Sequence, residues 1–353
     1  MGAAASVADE RELPATVYAI GFSLRKRPLL RRFLPECAVR FVRSISEVPT
    51  GAKLATWGLG DANIDRSRNE VVRIEDGFLR SVGLGAELVA PLSWTIDTTG
   101  IYYDASRPSD LERLLEQEGF GTSVLERAAL LRAEIVSAGL TKYNVGCRMW
   151  KRPATTQRVI LVPGQVERDE SIRLGTPDIG RNIDLLRAVR SSCPDAHVIY
   201  KPHPDVASGL RRAGINEGLA SQLCDEIVED ADVAGMLCQV DEVHTMTSLT
   251  GFEALLRQRR VVTYGQPFYA GWGLTEDKLP IPRRTRKLTL DQLIAGALLL
   301  YPRYLSRTTG KLISAEVALT ELLAWKSRSG RRYAIQSVVR APMRQLLRWA
   351  GDR

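Results

Sequence analysis

Short apolar runs of strand character recur through this chain, and stretches with helical spacing separate many of them. Val17-Tyr18-Ala19-Ile20-Gly21-Phe22, Ala38-Val39-Arg40-Phe41-Val42, Leu54-Ala55-Thr56-Trp57-Gly58 and Val71-Val72-Arg73-Ile74 read as strands, with a helix over 23–33 after the first. Residues 111–118 and 123–138 place apolar side chains three and four apart, which predicts helices. A second series begins at Val159-Ile160-Leu161-Val162. It continues through a helix at 181–189, strands at 197–200 and 242–246, a helix at 251–257 and a strand at 260–264. This alternation predicts an α/β fold built on parallel, doubly wound sheets.

A chain of 353 residues is too long for one ordinary core and suits two domains of roughly 150 residues each. The polar, proline-containing stretch 152–157 reads as a linker. The expected division is a Rossmann-like domain over 1–154, a second over 155–310, and C-terminal helices with a basic tail over 311–353.

Composition removes several function classes. No apolar run approaches the ~20 residues of a membrane span. The five cysteines are scattered without a CxxC pair, and the three histidines form no close-spaced ligand set, so neither a disulfide framework nor a metal centre is expected. The net charge is +8, yet eight basic residues and one acid lie from Lys326 onward, which leaves the remainder near neutral. Nucleic acid is therefore not an expected partner. In the tail, Ile335, Val338, Val339, Met343, Leu346 and Leu347 share one helical face and Arg340, Arg344 and Arg348 the other. Such a helix suits an anionic membrane surface, or packs its apolar face on the body with the arginines in water.

Three polar segments follow strands of the second series, where open α/β sheets bind ligands. Thr247-Ser248-Leu249-Thr250-Gly251 sits between a strand and a helix, and hydroxyls with free N–H groups there either cap the helix or hold a phosphate. Glu253, further on, either reaches a ribose or is a first-turn acid favoured by the helix dipole. In Lys201-Pro202-His203-Pro204 the two prolines fix an extended backbone around His203, and preorganise it for a ligand. Lys201 either adds charge there or is a solvated strand-end lysine. Gln165-Val166-Glu167-Arg168-Asp169 brings Asp169, a candidate carboxylate for glycosyl chemistry or a solvated loop acid. In the first half, Glu75 and Asp76 end a strand beside Phe78. They are either general-base candidates or acids paired with Arg73 or Arg80.

At these residues the chain closely resembles the capsule-polysaccharide β-Kdo transferases of the KpsC/LipA type. The likeness runs through Arg73–Ser81, Gly100–Asp104, Gln165–Ile172, Lys201–Asp205, Thr247–Leu256 and Gly265–Gly273, and covers roughly residues 15–310. Members often carry two modules in tandem, and this chain has one. Pro163–Glu167 and His244–Ser248 resemble the second, β-2,7-forming module. The one-module layout is that of an excised module or of an enzyme needing a partner module.

The resemblance implies a GT-B-like fold, two Rossmann-like domains facing a central cleft, working without cofactor or metal. It implies retaining transfer of Kdo from CMP-β-Kdo to a lipid-linked, Kdo-terminated acceptor at the cytoplasmic face of the inner membrane. Carried over, Asp169 is the nucleophile and Glu75 the base for the acceptor hydroxyl. His203 and Ser248 hold the donor, Gln165, Lys201, Thr247 and Glu253 support it, and Asp76 and Arg80 stand on the acceptor side. Two other readings compete: a GT-B transferase using another CMP- or CDP-activated donor, and a non-catalytic scaffold of capsule export.

Overall fold

The computed structural model describes residues 13–61, 64–65, 68–83, 89–146, 148–154 and 157–328. The basic tail beyond 328 and Cys147 lie outside the described residues. These residues fall into two compact units. The first gathers the chain up to Arg80, Pro91–Leu131 and Asp291–Glu321; the second takes Ser81–Ala90, Arg132–Leu290 and the residues from Leu322 on.

In chain order the elements are β1 (Thr16–Ile20), α1 (Lys26–Phe33), β2 (Ala38–Phe41), β3 (Lys53–Trp57), β4 (Glu70–Asp76), β5 (Ser93–Asp97), α2 (Asp110–Gln117) and α3 (Thr122–Ser137). Next come β6 (Val159–Pro163), α4 (Glu170–Gly175), α5 (Asn182–Ser192), β7 (His197–Lys201), α6 (Pro204–Ala207), β8 (Glu226–Ile227), α7 (Val233–Leu237), β9 (Glu242–Thr245), α8 (Leu249–Leu256), β10 (Arg260–Thr263) and β11 (Glu276–Asp277). After α9 (Leu290–Ile294), β12 (Pro302–Leu305) and β13 (Leu312–Ile313) return to the first unit, and a helix runs from 315 to 328.

The first unit holds a seven-stranded sheet in the order β13-β12-β5-β4-β3-β1-β2. The expectation of a parallel sheet holds for half of it. β2, β1, β3 and β4 pair parallel, whereas β5, β12 and β13 join antiparallel. Between β4 and β5 no crossover helix is found among the described residues, and the two pair antiparallel. Its core packs Phe33 on Trp94, stacked at 4.5 Å, among Val17, Ile74, Ile96 and Leu305.

The second unit holds a six-stranded sheet, β11-β10-β9-β6-β7-β8, with every pair parallel. Crossover helices cover such a sheet, so its central strand is apolar on both faces. All five residues of β6 are buried accordingly. Because the strands run one way, the segments after β6, β7 and β9 leave from one edge of this sheet. No helix among the described residues is long and apolar enough to cross a membrane.

Candidate functional site

The loop after β6 carries several polar groups, and they divide by what they touch. Glu167 accepts from Asn182 N and Ile215 N, both at 2.9 Å, with one carboxylate oxygen each. Glu170 pairs with Arg173 on α4. Asp169 occupies the N-cap position of α4 without a side-chain cap bond, and no hydrogen bond to its carboxylate is found among the described residues. Burial raises the Asp169 carboxyl above its ordinary value; Arg211 and Lys142 pull it back toward the ionised form.

Gln165 is a brace. Its amide Nε2 donates to Thr247 Oγ1 at 2.9 Å, and its Oε1 accepts from Thr247 N at 3.0 Å. Its backbone exchanges two further bonds with the Asn182 side chain. Gln165 and Thr247 thus tie the loops after β6 and β9 together, using the groups expected to support a donor.

Ser248 caps α8. Its hydroxyl accepts from Thr250 N at 3.2 Å, and the Tyr269 hydroxyl donates to its carbonyl at 2.5 Å. Gly251 lies against the same tyrosine, and a Cβ there would run into the Tyr269 hydroxyl. The sequence expectation of a helix N-terminus after β9 is met; Ser248 N donates to Thr245 Oγ1 and Gly251 N to Ser248 O, and the positive end of the helix dipole suits an anion.

His203 Nδ1 accepts from Asp205 N at 3.1 Å and caps α6, where Pro204 takes the first position. The network therefore puts the ring proton on Nε2. Burial, then the charges of Lys142, Arg211 and Lys201, lower His203 to about 4, so the ring is neutral near pH 7 and serves as a donor rather than a cation. Lys201, expected either to add charge at the donor or to be a solvated strand-end lysine, is buried and directs Nζ to Glu229 O at 3.0 Å. Burial lowers its pKa, and Asp230, Asp232 and Glu229 oppose that.

Glu253 is not a first-turn acid. The first turn of α8 has no acid, and Glu253 is 7% exposed. Its Oε1 accepts from Lys142 N at 2.7 Å, and the Arg257 guanidinium on the same helix donates to Leu140 O at 2.9 Å. Burial raises Glu253 to about 7. Segment 141–144 is clamped further by Asn144, in the left-handed region at φ 52°, whose amide donates to Ser81 O and Thr141 O.

Lys142 and Arg211 are site residues that the sequence did not mark. Both charges act on Asp169 and on His203. Neither follows a strand or lies in a polar motif; only their basic character in otherwise acid-poor turns hinted at a role. A cavity of about 410 Å³ beside β8, between Arg148–Lys151 and Glu226–Ala231, contains none of these groups.

In the first unit, Glu75 and Asp76 end β4 half-buried. The guanidinium question resolves by geometry. Arg80 Nε donates to Asp76 Oδ2 at 2.6 Å, whereas Arg73 reaches Leu59 O and Asp65. Glu75 Oε1 accepts from Asp76 N at 2.9 Å. Lys26, also unmarked by the sequence, lies over the Trp57 ring; burial lowers its pKa while Glu75 and Asp76 raise it.

Known proteins share this chain's sequence and fold. A family model described as capsule polysaccharide biosynthesis protein matches residues 59–144 and 147–305. The capsule polysaccharide modification protein LipA of Neisseria meningitidis serogroup A is 46% identical over 327 residues, 90% of this chain and 46% of LipA. The lipopolysaccharide-processing protein LpsZ of Rhizobium meliloti is 42% identical over 322 residues, 86% of this chain and 73% of LpsZ. The chain therefore spans about half the length of LipA. The β Kdo 2,7 transferase of Thermosulfurimonas dismutans KpsC matches with a TM-score of 0.75 at 40% identity, covering 88% of this chain and 99% of that one. The β Kdo 2,4 transferase of the same KpsC gives 0.77 at 33%, covering 89% and 99%. With the family model matching most of its length, the chain belongs to the capsule polysaccharide biosynthesis protein family, of the KpsC and LipA type.

Proposed function

We propose that the protein is a retaining β-Kdo transferase that moves Kdo from CMP-β-Kdo to a Kdo-terminated, lipid-linked acceptor in capsule linker synthesis. The observation that carries this reading is the contrast within one loop. Glu167 and Glu170 are engaged by structural partners, while the Asp169 carboxylate accepts no hydrogen bond among the described residues and shares two cations with a neutral His203. The two KpsC transferases support the substrate class.

In the first step Asp169 attacks the anomeric carbon, the bond to the CMP phosphate breaks, and CMP leaves with the electron pair. His203 Nε2–H and the N-terminus of α8 at Ser248 stabilise the phosphate, so departure needs no acid. Lys142 and Arg211 offset the repulsion between Asp169 and the sugar's own carboxylate. In the second step the acceptor hydroxyl attacks the same carbon, Asp169 departs as carboxylate, and Glu75 takes the proton. Two inversions give retention. A GT-B-like arrangement suits this chemistry, and the two α/β units are consistent with it.

A β-2,7 linkage is the favoured product, supported by 40% identity to the 2,7 enzyme against 33% to the 2,4 enzyme. A second module supplies the other linkage, and the basic tail keeps the enzyme peripheral on the cytoplasmic face of the inner membrane.

Incubation with CMP-Kdo made in situ and a Kdo-terminated acceptor tests this, read by intact mass and product NMR. A β-linked product heavier by one Kdo supports it. No product, with CMP-Kdo hydrolysed no faster than in buffer, overturns it.

A further inference from the structure

The segment between α6 and β8 presents a surface of which the proposed chemistry uses only Arg211. Leu210, Ile215 and Leu219 are 47%, 54% and 44% exposed. Arg211 and Arg212 stand exposed beside the first of them. No acid occurs from Val206 to Asn216. The next one, Glu217, is turned inward and accepts from the Tyr200 hydroxyl and Gly214 N. A single exposed aliphatic is ordinary on a protein surface. Three within ten residues, beside two guanidiniums and with the inward-turned Glu217 as the one acid, form a pattern.

The backbone here is anchored, so these side chains are held outward by the structure. Ile215 N donates to Glu167 Oε2 and Arg211 N to Asp205 O, both at 2.9 Å. Gly209 at φ 76° and Asn216 at φ 60° turn the chain on either side. The same Glu167 belongs to the loop that presents Asp169, which sets this surface next to the candidate reacting groups.

We propose that residues 208–222 rest on an anionic lipid bilayer, with Leu210, Ile215 and Leu219 entering the headgroup–acyl boundary and Arg212 meeting lipid phosphates. The inference rests on the reading of the protein as a transferase with a lipid-linked acceptor, and it puts a membrane contact on the folded body as well as on the tail. A bilayer fits better than a protein partner because the segment pairs aliphatics with guanidiniums and has no aromatic anchor.

The test uses the full chain, so the tail contributes equally in every arm. Sedimentation is compared on phosphatidylcholine vesicles with and without phosphatidylglycerol. Each charge near such a surface is worth about 1 kcal/mol, and Arg212→Glu changes two, so it should lower partition onto anionic vesicles about thirtyfold. Leu210→Ser with Leu219→Ser should weaken binding to the same vesicles several-fold. Circular dichroism and transfer to a soluble acceptor should stay at the level of the unmodified chain for Arg212→Glu. Unchanged partition of the Arg212→Glu protein, or of the double serine variant, overturns the proposal. Failure of the unmodified chain to transfer Kdo sinks the functional reading instead, while the vesicle result still decides whether this surface binds a bilayer.

Discussion

The backbone N–H of Lys142 donates to Glu253 Oε1 at 2.7 Å across 111 positions of sequence. That bond makes Glu253 the fastening of the turn that carries Lys142. Burial raises Glu253 to about 7, against about 4.3 in an unfolded chain. Between those values the folded protein keeps a proton that the unfolded chain has released. Stability therefore falls as pH rises from about 4.3 to 7, by a few kcal/mol at most, and levels off above. Glu253→Gln should flatten this part of the curve. Melting temperatures measured from acid to neutral pH decide it; an unchanged slope in the variant rules Glu253 out as the group responsible.

Asp169→Asn should reduce transfer by at least about a thousandfold, because a carboxamide cannot form the glycosyl ester. Affinity for CMP should stay within about threefold, measured by calorimetry, since Asp169 contacts no phosphate in the proposed step. A variant that retains most of its activity would remove Asp169 from the role of nucleophile.

Glu75→Gln should slow the second step by roughly a hundredfold or more while leaving the first intact. Intact mass spectrometry after mixing with CMP-Kdo should then show protein heavier by one Kdo. If no adduct builds up and turnover is normal, another group takes the acceptor proton.

Gln165→Ala would strip Thr247 N and Oγ1 of their partner. Leaving such groups unpaired costs about 1–3 kcal/mol, so the melting temperature should drop. A ligand-binding role for the amide predicts the opposite pattern, a raised KM for donor with unchanged melting.

The strands and helices that place these residues were largely legible, because hydrophobic periodicity is a local signal. Val159–Val162 and His197–Tyr200 became β6 and β7 almost residue for residue. The antiparallel edge of the first sheet was not, since β12 joins β5 through pairings about 200 residues apart that leave no local mark, and β13 is added through β12. The loops of the site were found by position after strands, and Asp169, His203 and Ser248 lie there. Their division of labour was hidden. A glutamine that binds a ligand and one that braces Thr247 look alike in sequence, and so do Glu167 and Asp169. Lys142 and Arg211 escaped notice because their relation to the site is tertiary.

The uniform direction of the six strands has a consequence for how such proteins can diversify. The ladder bonds lie inside β6, β7 and β9, whereas the groups proposed to meet the donor lie just past their ends. Donor preference can thus be rewritten by exchanging short segments, Gln165–Asp169, Pro202–Asp205 and Thr247–Gly251, without disturbing a strand pairing. The braces impose one condition: residues 165 and 247 must be exchanged as a matched pair.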